Sequence, residues 1–191
     1  MKKSNKNTST STKTLVMYGI LTALTFVLQY LSIFIRTGTF SITLSLVTIV
    51  IGAAILGVKG GAWLGIVFGI AVLMSGDAAP FFAISVPGTI LTVLLKGVMA
   101  GVLPGFVFKA LKSKNTTLAV ATSSVLSPIA NTGVFILGVI FFFLDSFMTE
   151  GSTVLGVILG FIGLNFFIEL AVCIIFCPVI VRLLNIRKKQ H

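Results

Sequence analysis

Lys96 stands in the middle of TILTVLLKGVMAGVL rather than at the edge of an apolar run, and of all the basic side chains it most demands a chemical reason. An ionisable group at membrane depth is costly to place, so it is expected to meet an opposite charge or an anionic solute. Asn131 in SPIANTGVF and Asn165 in GLNFFIEL are amides in comparably apolar settings, and Glu169 follows Asn165 at the four-residue spacing of one helix face. A lysine, two amides and a carboxylate suit the binding of a small polar solute rather than bond cleavage. Catalysis lacks material. The single histidine is the last residue, His191, so neither a His-based triad nor an intramembrane metal site has an obvious basis. GxxxxGK[ST] is missing, which excludes ATP hydrolysis by the P-loop route. Cys173 and Cys177 match neither a redox CxxC nor a favourable bridge geometry and read as small buried hydrophobes. The chain is expected to be no enzyme and to need no cofactor and no metal.

The elements that must position these groups follow from composition. With 57% apolar and 9% charged residues, the chain is an all-α integral membrane protein. Its 191 residues accommodate about six helices and no separate soluble domain. The predicted spans are Leu15 to Ile35, Ile42 to Leu56, Gly61 to Met74, Pro87 to Leu111, Leu118 to Leu144 and Val154 to Leu184, the second and third being short. Residues 1–13 are expected as a flexible basic tail, 14–185 as the membrane domain and 186–191 as a second basic tail. The first span lacks a small-residue cleavage site and reads as a retained helix rather than a signal peptide. With the N-terminus in the cytoplasm, that side collects Lys2, Lys3, Lys6, Lys13, Lys59, Lys109, Lys112, Lys114, Arg182, Arg187, Lys188 and Lys189, and only Arg36 falls outside. Both termini are therefore expected to be cytoplasmic, and the net charge of +10 is a topology signal rather than a nucleic-acid footprint.

Counting along these spans sets depths. Lys96 lies about 14 Å from the outer end of its helix, Asn131 and Asn165 about 18 Å from theirs, and Glu169 about 24 Å. Two readings of Lys96 stay open: an internal pair with Glu169, against which the depth difference argues, or a counter-ion for a solute flanked by the two asparagines. The segment MSGDAAPFFAISVPG carries Asp77, Phe81, Phe82 and two prolines, and reads either as a lid over an outward-facing pocket or as an interfacial loop anchored by its rings. IRTGTFSITLS is a candidate for the other half of a lid. Phe141, Phe142 and Phe143 are expected at lipid or the interface. Glycines recur every four residues at Gly57, Gly61, Gly65 and Gly69, at Gly97, Gly101 and Gly105, and at Gly156 and Gly160, spacings that let helices approach closely in lipid. Gly19 and Ala23 form a smaller such pair on the first helix, open to an internal or an intermolecular contact.

TFSITLSLVTIVIGAAILGVKGGAWLGIVFGIAVLMSGD resembles the second and third helices of the substrate-binding S components of energy-coupling factor (ECF) transporters, and the resemblance extends over nearly the whole length. GDAAPFFAISVPGTILTVLLKGVMAG and SPIANTGVF look most like the branch assigned to pantothenate. The resemblance implies the S-component fold in the bacterial cell membrane. It also implies capture of a vitamin from outside, under the first and third loops, and association with a transmembrane coupling subunit and two ATPase subunits. Gly19 and Ala23 match the alanine-rich pair that docks on the coupling subunit, with glycine in place of the first alanine. Substrate contacts are expected from Lys96, Asn131, Asn165, Asp77 and Phe81. Pantothenate carries a carboxylate that a buried lysine complements, and pyridoxine is the first alternative. An alternative of another class is a solitary secondary carrier or small channel, for which Pro128 would break the fifth helix and Glu169 would be the intramembrane acid.

Overall fold

The computed structural model of the chain describes residues 4–37, 40–148 and 153–189. The elements are α1 (Ser4–Ser32), a short antiparallel pair β1 (Arg36–Thr37) and β2 (Phe40–Ser41), α2 (Ser45–Met74), α3 (Ala79–Phe82), α4 (Val86–Leu111), α5 (Thr116–Phe142), α6 (Leu144–Phe147), α7 (Val154–Ile175) and α8 (Cys177–Lys189). Among the described residues, five stretches are long and apolar enough to cross a membrane: Thr12–Ser32, Ser45–Met74, Val86–Leu111, Thr116–Phe142 and Asn165–Ile186. Helices dominate because a backbone in lipid must satisfy its polar groups internally. Side chains close the exposed helix starts: Asn115 Oδ1 accepts from the Thr117 and Leu118 amides at 2.9 and 3.1 Å, and Ser85 Oγ accepts from Gly88 at 3.2 Å.

The second and third expected spans are joined at a single glycine rather than by a loop. Gly57 adopts φ 78° and ψ −169°, a conformation essentially confined to glycine. There α2 folds back on itself, since a β-carbon on Gly52 would overlap the Leu64 side chain, whereas a straight helix would set those residues about 18 Å apart. The first arm, residues 45–56, is about 18 Å long, shorter than a bilayer's apolar core.

The returning arm packs against α4 along the glycine stripes. A β-carbon at Gly65 would overlap the Gly97 carbonyl, one at Gly101 the Gly61 carbonyl, and one at Gly105 would sit 2.9 Å from Val58 Cα. Gly57 is the turn and not part of this seam. On the other flank of α4, Pro104 has no N–H to give the Ala100 carbonyl. Ser127 of α5 supplies the missing bond, its hydroxyl donating to Ala100 O at 2.8 Å, while Ser123 donates to Pro104 O at 3.0 Å. α5 itself runs unbroken through Pro128, contrary to the break anticipated there, and Pro128 is buried against the bundle.

α1 is bound to α2 by buried polar groups, the Thr25 and Thr48 hydroxyls at 2.8 Å and Ser45 Oγ donating to Gln29 Oε1 at 3.0 Å, and just before α2 by the part-buried Leu44 amide donating to Ser32 Oγ at 3.1 Å. The pairing is antiparallel, so α1 begins at the Gly57 end of the bundle, and Thr117 and Arg182 line a common groove that brings α8 to that same end. α1 reaches back to Ser4 and α8 forward to Lys189, so residues 4–13 and 186–189 of the stretches expected as tails continue the helices, each further residue adding a backbone bond to a helix already nucleated. The last span also departs from expectation. Gly163 (φ 33°, ψ −153°) breaks α7, so the stretch expected as one straight helix from Val154 consists of two arms.

Candidate functional site

At the end of the bundle opposite Gly57, six segments surround one cavity of about 70 Å³. α4 contributes Val93 and Lys96, three residues apart on one face; α5 contributes Asn131, Thr132 and Phe135; α7 contributes Asn165, Phe166 and Glu169. The last two sets share the i, i+1, i+4 pattern that turns one helix stripe inward. Thr43 follows β2, Val72 comes from α2, and Asp77, Ala78 and Phe81 come from the α2–α4 connection.

The Lys96 ammonium lies 5.1 Å from the centre of the Phe135 ring and 5.7 Å from that of Phe68, within cation–π range. It also interacts electrostatically with the carboxylates of Glu169 and Asp77. Glu169 is itself buried and anchored. The Thr43 amide donates to its Oε1 at 3.0 Å, and the side chains of Thr43 and Asn131 hydrogen-bond the carboxylate as well. One cation and two acids therefore share a partly open space whose remaining walls are amides, threonines, and aromatic and aliphatic side chains.

Phe81 closes the cavity toward the α3 and α6 end. Only 4% exposed, it meets the rings of Phe135, Phe143 and Phe147 edge-on at 5.4, 5.0 and 5.8 Å. Phe143 is 2% exposed, so the expectation that it faces lipid is wrong, whereas Phe141 is exposed. Phe143 caps α5 where the chain turns into α6, and this turn carries its ring inward against Phe81.

All five residues expected to touch a solute, Lys96, Asn131, Asn165, Asp77 and Phe81, line this cavity. The depth estimate that separated Glu169 from Lys96 fails, because it counted from Thr153 along an unbroken helix; with the break at Gly163, Glu169 comes level with Lys96 in the same cavity. Thr43 was missed, although its place in the ITL run beside the first loop was the available signal. Of the IRTGTFSITLS segment, Gly38 and Thr39 lie outside the described residues, and the rest forms the β1–β2 pair leading into Thr43. Among the described residues, no three His, Cys, Asp or Glu side chains gather as metal ligands do.

Gly19 and Ala23 lie elsewhere, on the outer face of α1. Both are exposed, a β-carbon on Gly19 would touch nothing within 4 Å, and Leu15, Val16, Ile20, Leu24 and Val27 are exposed around them. Gly156 and Gly160 likewise have open space beside them: a β-carbon on Gly160 would meet nothing within 4 Å, and one on Gly156 only the Thr153 hydroxyl. Cys173 is buried and Cys177 partly so, both as free thiols.

Residues 13–181 match the family model described as ECF transporter, substrate-specific component. No curated protein and no solved structure matches the chain.

Proposed function

Since the chain belongs to the substrate-specific components of ECF transporters and is thus a multi-pass membrane subunit that binds the transported solute, we propose that it captures pantothenate in the cavity around Lys96. One observation carries this reading. Lys96, Asn131 and Asn165, from three separate helices, converge on one cavity that Asp77 and Phe81 also line. Lys96 meets the solute carboxylate, the asparagines orient its amide and hydroxyl groups, and Phe81 on α3 serves as the lid. The Phe81 ring on α3 stands at the edge of the cavity, so a vitamin enters by an outward swing of α3 and its ring cluster.

In this reading the basic Gly57 end, with Lys59, the Lys109 to Lys114 run and Arg182, faces the cytoplasm of a bacterial cell, and both termini lie there. The Gly19–Ala23 face of α1 docks on the transmembrane coupling subunit, and two ATPase subunits of the complex supply the energy. The chain hydrolyses no ATP. The purified chain is expected to bind radiolabelled pantothenate at nanomolar to micromolar concentration, with displacement by excess unlabelled compound. A second substrate is favoured by one feature, the two acids beside one lysine, which suit an uncharged or zwitterionic solute such as pyridoxine. Pyridoxine binding without pantothenate binding would overturn the assignment. Co-purification with coupling and ATPase subunits separates this subunit from a solitary carrier.

A further inference from the structure

The cavity's unpaired polar atoms specify more than an anion. Asn131 Oδ1 and Asn165 Oδ1 are buried with no hydrogen-bond partner in the structure. A buried acceptor left unpaired forfeits the hydrogen bonds it made with water, so each such atom calls for an explanation. The Asn131 side chain hydrogen-bonds Glu169 while its Oδ1 has no partner, so its NH₂ is the group turned toward Glu169 and its oxygen points away. Glu169 in turn is held by the Thr43 amide at 3.0 Å. Thr43, Glu169 and Asn131 thus form a chain whose free end is an acceptor, and Asn165, one turn before Glu169 on α7, presents a second.

We infer that these two oxygens read hydrogen-bond donors on the solute, and that Glu169 is a positioning residue that sets the direction of Asn131. Resting on the reading of this cavity as the solute site, the inference narrows the substrate class to molecules with at least two donors, hydroxyl or amide N–H, apart from any group that faces Lys96. An acid lacking such donors is rejected even though it satisfies the lysine, because it leaves both oxygens unpaired. Discrimination of this kind is large when a polar site meets an analogue without the matching group.

Equilibrium binding to the purified full chain tests this, with pantothenate and pyridoxine as probes, each compared with its O-methylated counterpart. For whichever parent binds, O-methylation is expected to weaken binding at least tenfold. Asn165→Leu should shrink that ratio to about twofold or less, while Asn165→Asp, which keeps an acceptor, should preserve it; using the ratio cancels the effect of the added charge on overall affinity. Glu169→Gln, which lets Asn131 reverse, should lower the ratio without a matching change in thermal stability. If a parent binds and its O-methylated form binds equally well, the donor inference is wrong and the site reading survives. If neither parent binds, both fall.

Discussion

Glycine does opposite things in two regions that meet at the cavity. Along the α2–α4 seam, Gly61, Gly65, Gly97 and Gly101 bring backbones together so closely that any β-carbon would strike a carbonyl. On α7, Gly160 and Gly163 have nothing within reach, and Gly163 breaks the helix. Lys96 is the immediate neighbour of Gly97 and so is fixed by the tight region, whereas Asn165 and Glu169 sit just beyond the break in the loose one. Lys96 thus stands on a closely packed wall, and Asn165 and Glu169 on a helix whose glycines leave open space beside them.

The contrast can be broken where it is strongest. Gly97→Leu should cost more than about 3 kcal/mol, since the clash is with backbone rather than with a side chain that can rotate; loss of a monodisperse species in detergent would register it, and a folded, fully stable variant would refute the tight seam. Ser127→Ala should cost about 1–3 kcal/mol by orphaning the Ala100 carbonyl that Pro104 already leaves without its helical donor. A shift in thermal unfolding measures it, and no shift would mean that the carbonyl finds another donor. Gly160→Ala on the loose side should stay within about 0.5 kcal/mol of the parent. An equally severe effect there would show that the two regions do not differ.

Much of this was legible in the residues because it depends on local type and spacing. The four-residue glycine stripes foretold the seam, and the isolated polarity of Lys96, Asn131 and Asn165 in apolar runs foretold the cavity. What stayed hidden depends on single backbone angles. Gly57 belongs to a stripe by spacing and is the fold-back by conformation. Gly163 looks like one more small residue in an apolar run, yet its break moves Glu169 level with Lys96. The α1–α2 polar ladder was also invisible, because Thr25, Gln29, Ser45 and Thr48 barely perturb hydropathy and their pairing is set only when two helices meet.

The central claim is that Lys96 faces a solute and is not merely the internal counter-charge of Glu169. Radiolabelled pantothenate binding by purified Lys96→Met, read beside its elution profile and thermal stability, tests this most directly. Affinity is expected to fall at least ~100-fold, about 2.7 kcal/mol, in a protein that remains folded. Unchanged binding, or a variant that no longer folds because Glu169 has lost its partner, would contradict it.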